Sequence, residues 1–218
     1  MPKNRKITVS LTANIKLAEY NSTTNGEHFE AAAINRHLPL YPFFLQDLLN
    51  AYGKSLKHCH LLELGCGPGF MLELFSKSEA LSVTGVDISN DMLERAAKRC
   101  GRAKLVQADV KHMPFPDNFF NIVFSRGSVF FWNPIESAFK EIRRVAAQGA
   151  LIFIGGGYGI STPDEIVLQV KQIKSKEENH SIPRLNPQLL AEIAETYGDY
   201  AEVISAKGRG FWLKWLKS

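Results

Sequence analysis

Leu61, Leu62 and Leu64 frame an acid, Glu63, and lead directly into Gly65-Cys66-Gly67-Pro68-Gly69. A short apolar run that ends in alternating glycines reads as a buried strand turning sharply into a helix, with backbone open to a nucleotide-like ligand. Pro68 is expected at the first helical position, where its missing N–H costs nothing. The dinucleotide fingerprint requires G-x-G-x-x-G, whose third glycine lets a helix N-terminus meet a pyrophosphate. Here the spacing is G-x-G-x-G, and Phe70 stands where that glycine belongs, which argues against NAD and FAD. A tight strand-to-helix connection with no ligand is the other reading of the same residues.

Two further acids follow apolar runs. Val83-Thr84-Gly85-Val86-Asp87-Ile88-Ser89 puts a carboxylate at the end of a second strand, about 20 residues past the glycine turn, as adenosine-binding folds do. Asp87 can accept charge-assisted hydrogen bonds from both ribose hydroxyls, and Ser89 already suits the cap of the next helix. Leu105-Val106-Gln107-Ala108-Asp109-Val110 repeats the pattern, with Met113 shortly after. Ile88 and Met113 suit apolar walls of a pocket or plain core positions.

These acids require strands that end together at one edge of a sheet. From His60 the chain alternates: a strand to Leu64, a helix after Pro68, a strand from Leu81 to Val86, a helix from Ser89 to Cys100 and a strand from Ala103 to Ala108. A strand over Phe120–Phe124, a helix from Pro134 to Val145, a strand over Ala150–Ile154 and helices from near Thr162 and Pro187 continue it. Alternation of this kind predicts a doubly wound parallel sheet with helices on both faces. Glu202–Ser205 and Phe211–Trp215, separated by Gly208-Arg209-Gly210, read as an antiparallel hairpin. Residues before His58 read as helices capping the sheet, punctuated by Pro39 and Pro42. Residues 1–57 are therefore expected as a helical cap on the domain formed by 58–218.

The chain has 218 residues, 45% of them hydrophobic, which suits one domain with its own core. A net charge of +4 with a single short basic run, Lys3-Asn4-Arg5-Lys6, gives no sign of a nucleic-acid groove. Cys59, Cys66 and Cys100 lack metal-type or disulfide spacing, so no metal is expected and a cytoplasmic setting fits. No stretch approaches the roughly 20 apolar residues of a membrane span.

Taken in order, the glycine turn, Asp87, Asp109, then Phe120–Ser128 with Phe130-Phe131-Trp132 and Glu141–Ala150 resemble the class I S-adenosylmethionine-dependent methyltransferases, small-molecule (type 11-like) branch. The resemblance covers about residues 58–156. Two departures are Asn121, where an Asp is usual, and Gln148-Gly149-Ala150 in place of Pro-Gly-Gly. It implies a Rossmann-like seven-stranded, mostly parallel sheet with a C-terminal hairpin. It also implies S-adenosyl-L-methionine as cofactor, S-adenosyl-L-homocysteine as product and a small-molecule methyl acceptor. Glu63, Gly65, Cys66, Gly67 and Ser125 would border the cofactor with Asp87, Ile88 and Met113. Asp109 would accept from the adenine amino group, with the Val110 amide on the ring. Arg126, Trp132 and Tyr158, in loops at the carboxyl edge, are the candidates for the acceptor side, Arg126 for an acidic one. Gly155-Gly156-Gly157 reads either as backbone open to a ligand or as a flexible loop. Methyl transfer from a sulfonium needs no enzyme nucleophile, so no catalytic triad is required and no catalytic residue is assigned. Two other function classes share this turn: a non-catalytic S-adenosylmethionine-binding domain that assists or regulates a partner enzyme, and an adenosine-pocket enzyme of other chemistry such as aminopropyl transfer, which would ordinarily show an acidic substrate groove that this sequence lacks.

Overall fold

The computed structural model describes residues 8–9, 26–177, 185–206 and 208–218; the basic run at Lys3–Lys6 lies outside them. The strands are β1 (Thr8–Val9), β2 (His60–Leu64), β3 (Ser82–Asp87), β4 (Lys104–Gln107), β5 (Phe120–Arg126), β6 (Ala146–Gly157), β7 (Tyr200–Ala206) and β8 (Gly210–Leu216). They form one sheet in the order β1-β4-β3-β2-β5-β6-β8-β7, with β8 antiparallel to both its neighbours and every other pair parallel. All seven expected strands are present, and Thr8–Val9 adds an eighth by pairing with Val106 and Gln107 of β4. The segment before His58 is therefore not wholly helical. A two-residue strand carries no period of its own, and the unpaired edge of β4 supplies its partner.

The helices are α1 (Gly26–Ala32), α2 (Tyr41–Tyr52), α3 (Phe70–Ser76), α4 (Asn90–Arg99), α5 (Ile135–Val145), α6 (Asp164–Glu177) and α7 (Pro187–Glu195). Between α1 and α2 the chain tightens through a π turn at Ala33–His37 and a 3-10 turn at Leu38–Leu40, where Pro39 falls; Pro42 sits in the first turn of α2. Pro68 is not at a first helical position. It lies in the turn before α3, because Gly69, at φ 84°, caps that helix in a left-handed conformation.

Successive strand residues face opposite sides of the sheet, and both sides are buried. On β6, Ile152 and Ile154 pack with Phe139 and Ile142 of α5 and Leu190 of α7. Leu151 and Phe153 pack with Phe44 of α2, Leu72 and Phe75 of α3 and Leu93 of α4. Asn121 also finds an explanation: its Oδ1 accepts the His60 amide at 2.8 Å, which ties the starts of β5 and β2 together.

The chain adds strands outward from β2 in both directions, first through β3 and then through β5. The crevice beyond the carboxyl ends of β2 and β5 is thus the topological switch point, where such sheets bind ligands.

Candidate functional site

Gly65, directly after β2, holds φ 63°, and a Cβ there would lie 2.3 Å from the Ser128 Cβ. Only glycine satisfies both the left-handed backbone and that close approach. Ser128 Oγ donates to the Leu64 carbonyl at 3.1 Å and pairs with Ser125 Oγ at 2.7 Å, so the loop after β5 is pinned under the glycine turn. Ser128 stands in the motif after β5, but its contact with Leu64, 64 residues earlier, gave no signal in the sequence.

Asp87 closes the turn from the other side. Its Oδ2 accepts the Gly67 amide at 2.8 Å and its Oδ1 accepts the Ser89 amide at 2.9 Å. Each oxygen keeps a lone pair for a further donor. Burial pushes the Asp87 carboxyl above its ordinary value, opposed by the amides of Ser89, Gly67 and Ile88. Ser89 caps α4, its Oγ accepting from the Met92 amide.

Glu63 lies on β2 between Gly85 of β3 and Phe124 of β5, and is buried. Burial first, then the neighbouring charge of Asp87, holds its carboxyl well above the usual range, with the Leu72 amide opposing. Its Oε2 is sealed from solvent and has no hydrogen-bond partner. A buried carboxylate oxygen left in this state beside an open glycine turn is suited to a cationic group.

The remaining candidates separate by where their side chains go. The Cys66 side chain packs into the core beside Gly85, so it can offer a ligand only its backbone; burial and then the Asp87 and Glu63 charges push its thiol up. Ile88 is half-buried, and its carbonyl accepts from the Gln107 side chain. Asp109 accepts the Lys111 amide at 3.0 Å, and Val110 is half-buried against the core. Met113 is a core residue whose amide donates to Glu141 Oε1 at 2.6 Å. Ser125 is fully buried.

On the acceptor side, Arg126 and Tyr158 come together while Trp132 does not join them. Trp132 packs on the face that carries α5, and Tyr158 on the face that carries α2. The Arg126 guanidinium lies 4.9 Å from the Phe44 ring and 5.9 Å from the Tyr41 ring, both from α2. Tyr41 in turn stacks on Phe70 at 5.3 Å. The N-terminal elements thus contribute directly to the site, which strand spacing alone does not reveal. They are latched to it: Glu30 of α1 pairs with Arg95 at 2.8 Å and Arg99 at 2.6 Å. Arg99 also covers the Phe70 ring and donates to the Pro68 carbonyl of the glycine turn.

The triple glycine is not a flexible loop. Gly155 to Gly157 lie on β6 beside β8, and a Cβ on Gly156 would meet the Phe130 ring at 2.5 Å. The loop that follows is held by Asp47 of α2, whose carboxylate accepts the amides of Ile160 and Ser161.

A cavity of ≈ 530 Å³ lies at the opposite, amino-terminal edge of the sheet, lined by Arg143, Arg144 and Lys217 among others. Those cations are already committed, Arg143 to Asp199, Arg144 to Glu141 and Asp117, and Lys217 to three oxygen acceptors. Among the described residues no helix is long and apolar enough to cross a membrane, and no group of three or more His, Cys, Asp or Glu could hold a metal ion.

Residues 62–154, which span the glycine turn, both strand-end acids and the loop carrying Arg126, match the methyltransferase domain family. Over that span the chain is similar to the class I S-adenosylmethionine-dependent methyltransferases. S-adenosylmethionine is the cofactor of that family. Among solved structures, a putative S-adenosyl-L-methionine-dependent methyltransferase from Methanococcus maripaludis is 27% identical, with a TM-score of 0.74 over 88% of this chain and 91% of that one. Among curated proteins, the malonyl-[acyl-carrier protein] O-methyltransferase of Legionella pneumophila is 40% identical over 102 residues, 43% of this chain and 34% of that protein. The protein of that name from Geobacter sulfurreducens is 27% identical over 165 residues, 73% of this chain and 60% of that protein. The chain thus spans between about a third and three-fifths of these curated relatives.

Proposed function

We propose that this methyltransferase moves a methyl group from S-adenosylmethionine to a small-molecule acceptor held at the carboxyl ends of β5 and β6. The observation that carries the reading is the joint between the two loops: one carboxylate, Asp87, binds the amides of both Gly67 and Ser89. That joint fixes the glycine turn and the ribose-side acid as one unit.

The residues present fit the cofactor. Gly65 and Gly67 leave backbone exposed at the turn, Asp87 retains acceptor capacity for ribose hydroxyls, and Glu63 Oε2 supplies an unused buried acceptor for the ammonium group. Asp109 and the Val110 amide would serve the adenine, with Ile88 and Met113 beside it. Bound there, S-adenosylmethionine supplies an electrophilic methyl on a sulfonium; the acceptor–methyl bond forms as the sulfur–methyl bond breaks and the sulfur loses its charge. The chain's part is to align the acceptor and to exclude water. Arg126 and Tyr158 would hold the acceptor, whereas Trp132 packs on the other face of the sheet.

The described residues from Gly26 to Lys57 belong to the same unit as the sheet, which the Glu30 latch and the Asp47 contacts support. An acceptor delivered on a carrier protein falls within this reading, because two relatives carry that activity in their names. Three buried cysteines that form no disulfide suit a cytoplasmic setting.

Calorimetry with S-adenosylhomocysteine and with NAD tests the cofactor, and a metabolite pool incubated with protein and S-adenosylmethionine tests turnover. The expected results are selective binding of S-adenosylhomocysteine and a protein-dependent mass gain of one methylene in a pool member. Comparable binding of NAD, or binding with no methylated product from any pool, overturns the proposal.

A further inference from the structure

Arg126 differs from five other arginines of this protein. Arg95, Arg99, Arg143, Arg144 and Arg209 each hold a carboxylate. Arg126 forms no ion pair among the described residues. Its hydrogen bond to the Gly157 carbonyl is long at 3.4 Å, and its Nε is sealed from solvent without a partner. Burial lowers its proton affinity, and Arg36 nearby lowers it further, so two positive charges share this corner of the site.

A partly buried guanidinium whose Nε is sealed from solvent and that has no counter-ion is costly to keep. The Phe44 and Tyr41 rings return part of that through cation–π contact. They also hem in the guanidinium from two sides, and its fork can bind an oxyanion in bidentate fashion. Tyr41 and Tyr158 are close enough to interact electrostatically with Arg126, and both carry hydroxyls that can donate to an anion. Tyr41 also feels Glu63, so the guanidinium corner adjoins the cofactor side of the crevice.

We infer that the methyl acceptor carries an oxyanion, a carboxylate or a phosphate, and that Arg126, seated on Phe44 and Tyr41, receives it. The inference rests on the methyltransferase reading and names the substrate class of that site. Arg126 determines specificity: an acceptor without the anion leaves the guanidinium without a counter-ion.

The test uses the full-length protein saturated with S-adenosylhomocysteine and ligand-observed NMR with three probes: succinate, inorganic phosphate and succinamide. Succinate or phosphate should bind at least tenfold more tightly than succinamide, and whichever binds identifies the oxyanion. Arg126→Gln should lose at least tenfold of that affinity while its S-adenosylhomocysteine affinity changes less than threefold, and Arg126→Lys should recover part of the loss. Equal binding of succinamide, no binding of either oxyanion, or undiminished oxyanion binding by Arg126→Gln overturns the inference. If Arg126→Gln fails to fold, the comparison of succinate with succinamide on the wild type decides alone. Failure here alongside intact S-adenosylhomocysteine binding and turnover leaves the methyltransferase reading standing, whereas loss of those removes that reading itself.

Discussion

The Gly67 amide donates to Asp87 Oδ2 across 2.8 Å, joining two loops whose sequence positions are 20 residues apart. The same carboxylate accepts the Ser89 amide, so Asp87 shapes the turn as well as offering acceptors to a ligand.

Asp87→Ala should therefore show two losses. Two loop amides lose their acceptor, for a stability cost of about 1–3 kcal/mol, and S-adenosylhomocysteine binding should weaken by roughly 1.5–3 kcal/mol through lost ribose contacts. Urea unfolding and calorimetry measure these separately. A stability loss with unchanged affinity would confine Asp87 to shaping the loop.

Glu63→Gln should stabilise the unliganded protein near neutral pH and weaken cofactor binding. The Glu63 carboxyl is held above its ordinary value by burial and by Asp87. It therefore binds a proton more readily folded than unfolded. Its contribution to stability is present below the unfolded pKa and is lost as pH rises through the folded one. The variant should melt higher than wild type at pH 7.5 by the equivalent of roughly 0.5–2 kcal/mol, a common gain when a functional group is removed. That advantage should shrink toward pH 4. A constant difference across the range would show that Glu63 is not protonated on burial.

Asp47→Ala removes the acceptor of the Ile160 and Ser161 amides and should loosen the loop after β6. Hydrogen exchange should quicken there by at least tenfold, with a global cost of about 1–3 kcal/mol. Unchanged exchange at those two amides would mean that the loop is held by the Arg209 contacts to Gly159 and Thr162.

Glu30→Ala should release the N-terminal latch. The pairs with Arg95 and Arg99 are partly exposed, so the global loss should stay under about 1 kcal/mol. Limited proteolysis should nevertheless cut faster before residue 41, and S-adenosylhomocysteine should slow the cutting if α1 closes over the glycine turn. Cleavage at wild-type rates would assign the latch a merely solvated role.

The sequence by itself determined the alternation of strands and helices, the hairpin, and the turn chemistry at Gly65, Gly67, Asp87 and Ser89. All of these are local: burial on both sheet faces leaves continuous apolar runs, and a left-handed turn or a helix cap demands particular residues within a few positions. Only the tertiary structure decided which groups meet across long separations. It placed Ser128 under Gly65, brought Tyr41 and Phe44 to Arg126, and paired Glu30 with Arg99. It also put Gly69 in the left-handed cap that displaced Pro68 from the helix, and set Thr8–Val9 on the edge of β4. A hydrophobic period reports which side of an element is buried and is silent on which charge or ring lies opposite. The isolation of Arg126 is a property of that arrangement, because an arginine reads alike in sequence whether or not a carboxylate meets it in the fold.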